Sequence, residues 1–199
     1  MEDLVTSPDQ ERLLRLARQA LEARVRRQPA PRIDSGGALD WRRGAFVTIH
    51  CGGVLRGCLG RIDVDAPLGK TVAHLAAAVS DSDPRFTPVS SPELADISLE
   101  ISVLTPEREL GSVAEIEIGR HGLVVEDGGR RGLLLPQVAT EHQWDRDTFL
   151  AHACLKASLP ADAWRRGARI LVFEAQVFAE TAGPRGLAPP GPRGLGPEA

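Results

Sequence analysis

The sequence predicts an α+β protein whose strands are mainly antiparallel, and the order of its elements supports this class. Two β-hairpin patterns, "AFVTIHCGGVLRGCLGRI" and "HGLVVEDGGRRGLLLP", each place a pair of glycines between two apolar strands. Each hairpin is followed by helical periodicity and then by a further strand. The order hairpin, helix, strand therefore occurs twice, over residues 45–105 and 121–180. We expect an internal structural repeat, although the two sequences barely match.

The first half begins with a helix, "TSPDQERLLRLARQALEARVRR", in which Ser7 is the expected cap of the first turn. A loop rich in proline and glycine separates this helix from the first hairpin, which turns at Gly52-Gly53. The next helix is predicted at "APLGKTVAHLAAAVSDS", where apolar residues recur at helical spacing. The segment "DISLEISVLTP" is predicted to be a strand because apolar and polar residues alternate along it.

The second half repeats this order after the second hairpin, which turns at Asp127-Gly128-Gly129. Two short helices are predicted at "PQVATEHQW" and "DRDTFLAHACLKASLP", the second capped by Asp145. The segment "ARILVFEAQVFAE" predicts one long final strand. Residues 182–199 are rich in proline and glycine without periodicity, so we expect a disordered tail.

Composition and motifs limit the possible functions. The 199 residues carry a formal net charge of −3, and no basic stripe predicts nucleic-acid binding. No apolar run is long enough to predict a membrane span, and the N-terminus lacks a signal-peptide pattern. Three cysteines without CxxC favour a reducing compartment, so we expect a cytoplasmic protein. Without HExxH, CxxC or an i,i+4 histidine pair, no metal site is predicted, and any cofactor stays unknown.

The first hairpin contains an unusual strand, "GGVLRGCLGRI". A two-residue turn at its glycines would pair Ile49 with Arg56 and Val47 with Cys58. Arg56 and Cys58 would then share one face, about 6–7 Å apart at Cα, and the cation would favour the thiolate form. Phe46, with Leu55 and Leu59, would face the core. In the alternative, Cys58 is a small buried hydrophobe and Arg56 is an ion-pair partner.

Four further residues are candidates for the same site. His121, between glycines in "GRHG", could be a general base or a ligand contact, or could cap a strand end. Glu100 occupies a polar position of its strand and could hold Arg56 or exchange a proton. Asp83 follows a helix C-terminus, where negative charge is unfavourable, and Arg85 is its expected partner.

Several motifs together resemble the AMMECR domain family, also called AmmeMemoRadiSam system protein A. They are "LRGCLG" in the first hairpin, "DPRF" at 83–86, "EISVLTP" at 100–106, "GRHGLVVEDGGRRGLLLPQVA" at 119–139, and "W…FL…CLKASLP…W" from 144 to 164. The resemblance spans roughly residues 7–180. It implies one AMMECR-like domain of two intertwined lobes, with two β3-α2 structural repeats that share one barrel-like, mainly antiparallel sheet.

The resemblance also implies partners, a Memo-like protein and a radical S-adenosylmethionine protein, but no settled activity. Our first hypothesis is a thiol-dependent enzyme, or its substrate-binding component, that acts on a small anionic molecule in a cleft. Arg56 would bind the anion, Cys58 would attack or ligate, His121 and Glu100 would move protons, and Asp83 and Arg85 would border the cleft. In the alternative, the protein is a non-catalytic adaptor that docks onto these partners through an interface with an arginine hot spot.

Overall fold

The structure is a computed structural model that describes residues 4–62 and 65–180, so the predicted tail at 182–199 lies outside the described residues. The described chain divides into two units. The first unit contains residues 4–62, 65–104 and 176–180, and the second contains residues 105–175. Among the described residues, no helix is both long and apolar enough to cross a membrane.

The first unit has two helices, α1 (Ser7–Val25) and α2 (Leu68–Ala78), and four strands, β1 (Ala45–Cys51), β2 (Val54–Arg61), β3 (Ile97–Leu104) and β8 (Ala175–Ala179). The four strands form one sheet in the order β2-β1-β3-β8. The strands β1, β2 and β3 pair in antiparallel fashion, as the sequence predicts. Both helices contact the sheet and each other, and their apolar side chains bury the same face of β1 and β3.

The start of α1 differs from the prediction by one residue. Ser7 is the first helical residue, and Thr6 occupies the cap position with an extended backbone and no side-chain cap bond. The side-chain amide of Gln10 instead donates to the carbonyl of Val5 at 2.9 Å. The N-terminal end of α1 is therefore held to the preceding residues by the side chain of Gln10 and not by a serine cap.

The second unit has two α-helices, α3 (Pro136–Glu141) and α4 (Arg146–Lys156), and four strands, β4 (Arg108–Glu109), β5 (Gly122–Asp127), β6 (Arg130–Leu134) and β7 (Arg169–Phe173). The four strands form one sheet in the order β4-β7-β5-β6. Its core contains Phe149, Leu150 and Cys154 from α4, and all three are fully buried. The predicted cap of that helix is confirmed, because Asp145 accepts a hydrogen bond from the Thr148 amide at 2.8 Å.

The prediction of one long final strand is wrong. Residues 169–173 form β7 in the second sheet, whereas residues 175–179 form β8 in the first sheet. Glu174 lies between them, and its carbonyl accepts from the Thr105 amide at 2.8 Å while its own amide donates to Thr105 Oγ1 at 2.9 Å. These bonds replace ladder pairing at Glu174, so the chain leaves one sheet there and enters the other.

The internal repeat is visible in the strand order of the two sheets. In each sheet the first hairpin strand is central, with its hairpin partner on one side and the strand after the helix on the other. The α+β class and the antiparallel pairing are therefore confirmed. The strands form two sheets of four, and the single barrel-like sheet that the resemblance implied is not confirmed.

Candidate functional site

The first hairpin contains a β-bulge that changes the expected register. Cys51 pairs with Val54 as predicted, but the register shifts between Ile49 and His50, and Arg56 has no partner on β1. The predicted pairing of Ile49 with Arg56 is therefore wrong, because Ile49 pairs with Gly57. A bulge inserts one unpaired residue into a strand, so every later pair moves by one position.

This shift changes the partner and the surroundings of Cys58. Cys58 pairs with Thr48 on β1, not with Val47, and Thr48 pairs with Glu100 on β3. Paired residues project from the same face of a sheet, so these three side chains lie side by side. The opposite face is the core, where Val47 and Ile49 are fully buried.

The assignment of the hairpin's apolar residues to the core is consequently wrong in part. Leu59 pairs with Val47 and packs against the core, as predicted. Phe46 and Leu55 instead belong to the face that carries Thr48 and Cys58, because alternate residues of a strand point in opposite directions. We call this face the polar face; its polar residues are Thr48, His50, Cys58, Ser98, Glu100 and Ser102.

Arg56, the bulged residue, is held by groups from the segment between α2 and β3. Its Nε donates to Glu93 at 2.8 Å, and its two terminal nitrogens donate to the carbonyls of Thr87 at 2.8 Å and Pro88 at 3.4 Å. The Arg56 guanidinium holds the pKa of Glu93 at about 2. Only 15% of the Arg56 side chain is exposed. Arg56 is thus the ion-pair partner of the alternative interpretation, and Glu93 takes the place expected for Glu100.

Asp83 joins the same segment to Cys58. Its carboxylate accepts the Cys58 backbone N–H at 2.8 Å and binds the Arg85 guanidinium through both oxygens, at 3.1 and 2.9 Å. The predicted pairing of Asp83 with Arg85 is confirmed, and the bonds from Arg85 lower the pKa of Asp83 to about 2. Only 2% of the Asp83 side chain is exposed. Asp83 and Arg56 together fasten residues 83–93 along β2, the edge strand of the sheet, and such covering prevents edge-to-edge pairing.

The thiol of Cys58 is not a resting thiolate. Burial raises its pKa, and the carboxylates of Asp83 and Glu100 add to this effect. A hydrogen bond from Thr48 Oγ1 to the sulfur, at 3.3 Å, and the charge of Arg85 act in the opposite direction without reversing it. The expectation that Arg56 favours the thiolate is therefore wrong, because burial dominates and the cation that acts on the sulfur is Arg85.

This electrostatic balance predicts how Cys58 reacts with iodoacetamide. The thiolate is the reactive form, so a raised pKa lowers the reactive fraction at neutral pH. We expect Cys58 in the folded protein to label more slowly at pH 7 than the same cysteine in urea. Its rate should rise with pH through a midpoint above the ordinary thiol value. Peptide mapping by mass spectrometry between pH 6.5 and 10 measures both, and a midpoint near neutrality would contradict the burial argument.

Glu100 lies on the polar face, as its strand pattern predicts, with Ser98 and Ser102 buried at neighbouring positions. Burial raises the pKa of Glu100 above its ordinary value. None of the described residues forms a hydrogen bond with its carboxylate. Glu100 is therefore a half-buried acid beside Thr48 with free hydrogen-bonding capacity.

His121 belongs to the second unit, whereas the other five predicted site residues belong to the first. Its side chain is 2% exposed, and its Nδ1 accepts the Glu117 backbone N–H at 3.0 Å. The proton of the neutral ring is consequently on Nε2, which lies 3.6 Å from the Glu174 carboxylate, too far for a hydrogen bond. His121 therefore holds the turn before β5, and its expected role in proton transfer stays a prediction.

Sequence reasoning missed two residues of this site. Thr48 looks like any β-branched strand residue, and only the bulge places it opposite Cys58. Glu93 had a signal, because "SPE" after Ser90 is a capping box, and Ser90 does donate to it through N–H and Oγ. No group of three or more His, Cys, Asp or Glu among the described residues could hold a metal ion.

The second unit provides an internal comparison for the polar face. Counted from its glycine turn, the second hairpin places Val124 where the first has Thr48, and Val124 pairs with Leu133 and Leu171. Leu133 therefore corresponds to Cys58, and Leu171 corresponds to Glu100. The second unit thus has the same strand pairing with an apolar triad, so this pairing does not require the threonine, the cysteine and the acid.

The molecule is thus an α+β protein of two topologically matched sheets, with a polar triad on the first sheet only. The chain belongs to the AMMECR1 family, whose model matches residues 14–178. It is 39% identical over 187 residues to a protein of Methanosarcina mazei, which covers 89% of this chain and 94% of that protein. It is 43% identical over 194 residues to Protein MK0488 of Methanopyrus kandleri, with 90% and 92% covered.

A solved structure supports the fold. The crystal structure of Uncharacterized Protein PH0010 from Pyrococcus horikoshii is similar to this chain with a TM-score of 0.67 and 37% sequence identity. The similarity covers 88% of this chain and 93% of that one. The family resemblance that the sequence motifs indicated is therefore confirmed.

Proposed function

We propose that the polar face of the first sheet binds a small anionic molecule, and that the protein is the substrate-binding component of a thiol-dependent reaction. The observation that supports this most is the comparison between the repeats. Thr48, Cys58 and Glu100 occupy positions at which the second unit has three apolar residues. Polar groups that a fold does not need, and that burial makes costly, are typical of binding sites.

Arg85 is the cation that fits this proposal. Its Nε and one terminal nitrogen bind Asp83, and 37% of its side chain is exposed. Its other terminal nitrogen, Nη1, has no hydrogen bond to any described residue, so it can donate to an incoming carboxylate or phosphate. Asp83 accepts the Cys58 backbone N–H and also binds the Arg85 guanidinium, so one carboxylate joins the cation to the cysteine.

Thr48 and Glu100 supply the remaining chemistry. The Thr48 hydroxyl donates to the Cys58 sulfur and would stabilise a thiolate formed once ligand is bound. The raised pKa of Glu100 brings its titration closer to neutrality, and general acids and bases work best there. A neutral thiol in the free protein, beside an acid that can exchange a proton, suits a site that becomes reactive only with its substrate.

The adaptor alternative has less support from the described contacts. It would use Arg56 as an interface hot spot, but Glu93 and two backbone carbonyls already bind that guanidinium. A partner would have to break these bonds before Arg56 could contribute to binding. Association with a Memo-like protein and a radical S-adenosylmethionine protein stays a prediction, and it is compatible with a substrate-binding component.

Two alkylating reagents that differ in charge test the anion site. Iodoacetate is an anion and iodoacetamide is neutral, and both react with the same thiolate, so their rate ratio cancels changes in the thiol pKa. We expect the ratio of the iodoacetate labelling rate to the iodoacetamide labelling rate at Cys58 to be about fivefold higher in folded protein than in urea. This corresponds to ~1 kcal/mol of attraction, the upper end of what a solvent-exposed ion pair contributes.

Arginine variants show which cation is responsible. Arg85→Gln should bring the ratio down to its value in urea, and Arg85→Lys should keep most of it. Arg56→Gln is the matched control and should leave the ratio unchanged, because Arg56 faces Glu93. A ratio that is equal in folded and denatured protein, or that falls equally in both glutamine variants, would remove the basis for an anion site at Cys58.

A further inference from the structure

His50 is a polar-face residue that the proposed function has not used. It lies two residues after Thr48 on β1, so both side chains project from the same face. Its neighbours across the adjoining strands are Leu55 on β2 and Ser98 on β3. The two positions are separated by about 6–7 Å along the strand, which is within the length of one small molecule.

The imidazole of His50 has an unpaired buried nitrogen. Its Nδ1 is shielded from solvent, and no described residue forms a hydrogen bond with it. Buried polar atoms nearly always have a partner, so such an atom needs an explanation. Burial also lowers the pKa of His50, so the ring is neutral at neutral pH and can accept as well as donate a hydrogen bond.

In the second unit, the side chains at the corresponding positions bind one another. Glu126 is the residue that corresponds to His50, and its neighbours on the adjoining strands are Arg131 and Arg169. Both arginines bind it, Arg131 at Oε1 and Arg169 at Oε2, the latter at 3.1 Å. One copy of the fold thus satisfies these three positions internally, whereas the other leaves the nitrogen of His50 without a partner.

We propose that His50 contacts the ligand of the polar face and selects its chemical class. The ligand is then a small anion that carries a hydroxyl or amine group a few bonds from its charged end. The anionic end binds near Arg85 and Cys58. The half-buried ring of His50 turns so that its unpaired nitrogen accepts a hydrogen bond from the hydroxyl or amine. This proposal rests on the proposed function, because it requires an anion site at the Cys58 end.

Two simple acids, butyrate and 4-hydroxybutyrate, test this selection. Each is titrated against the labelling of Cys58 by iodoacetamide, and the concentration that gives half-protection is measured. We expect 4-hydroxybutyrate to protect at about five- to tenfold lower concentration, since one additional hydrogen bond in a partly buried site gives an effect of this order. His50→Phe keeps a ring but removes both nitrogens, so it should abolish the difference and leave protection by butyrate intact. His74→Gln, at an exposed position of α2, is the control and should keep the difference.

The outcomes separate the two proposals. If neither acid protects Cys58, the anion site fails and the role of His50 fails with it. If both acids protect equally, or if His50→Phe keeps the difference, the role of His50 is overturned while the anion site stands. Nitrogen-15 NMR of the wild-type protein provides a readout that does not depend on the folding of a variant. Addition of 4-hydroxybutyrate should shift the Nδ1 resonance of His50 more than butyrate does, and equal shifts would contradict the proposal.

Discussion

Gly132→Ala should strongly destabilise the second unit. A Cβ at Gly132 would lie 2.2 Å from the backbone nitrogen of Ala157 and 2.6 Å from the carbonyl carbon of Lys156, where α4 ends. Backbone atoms at a helix end cannot move aside as a flexible side chain can, so the helix or the hairpin must shift. We expect a loss of about 3 kcal/mol or more, at the upper end for overpacking. Thermal unfolding and hydrogen exchange of β5 and β6 measure the effect.

Two other glycines calibrate this result. A Cβ at Gly111 would approach only the Glu115 carboxylate, at 3.3 Å. The melting temperature of the Gly111→Ala variant should therefore stay within about 2 °C of wild type. Gly57→Ala is the equivalent change in the first unit and would meet Val79 at 3.0 and 3.1 Å, so its effect should be intermediate. If Gly132→Ala unfolds at the same temperature as Gly111→Ala, the close contact between β6 and the end of α4 is incorrect.

Asp83→Ala should have the largest effect on the first unit. The change leaves the backbone amides of Cys58 and Arg85 without their acceptor and removes both carboxylate contacts of the Arg85 guanidinium. Because an unsatisfied buried donor costs about 1–3 kcal/mol, and the exposed part of Arg85 regains water, we expect a loss of about 2–4 kcal/mol. Chemical denaturation measures it, and Asp34→Ala, at an exposed position, is the control. A loss below about 0.5 kcal/mol would contradict the structural role of Asp83.

The same carboxylate makes stability dependent on pH, and the sign follows from its lowered pKa. The pKa of Asp83 falls from 3.8 to about 2 on folding, and that of Glu93 falls from 4.5 to about 2. The stability that they contribute is therefore present above pH 4.5 and is lost as the pH falls from there to about 2. Asp83→Asn and Glu93→Gln should each flatten this acid limb. An unchanged slope in both variants would show that neither carboxylate is bound as described.

The ion pairs of the site differ in how far the sequence alone could predict them. Asp83 and Arg85 are two residues apart, so their pairing needed only a local argument and is confirmed. Arg56 is 37 residues from Glu93 in the sequence, and no local rule prefers Glu93 over Glu100 as its partner. Long-range ion pairs depend on which loop packs against which strand, and that is a property of the folded chain.

What the sequence by itself determined is the class of fold, the family and the two hairpins with the helices that follow them. Both hairpins turn at the predicted glycines, because a two-residue turn needs residues that accept positive φ, and these glycines all have it. Asp145 caps α4 because a cap is a bond between residues three apart. Turns and caps of this kind depend on residues that are close together in the sequence, so the sequence alone predicts them.

Only the tertiary structure decided the register and the electrostatics of the candidate site. In a regular hairpin each residue of one strand pairs with a residue of the other. Nothing in the sequence "VLRGCLG" indicates that Arg56 is the residue that has no partner on β1. The bulge exists where the Arg56 side chain can bind Glu93 and the carbonyls of residues 87 and 88, and those groups meet β2 only after folding. The pKa of Cys58 likewise follows from burial, which depends on the packing of the whole unit and not on the neighbours of Cys58 in the sequence.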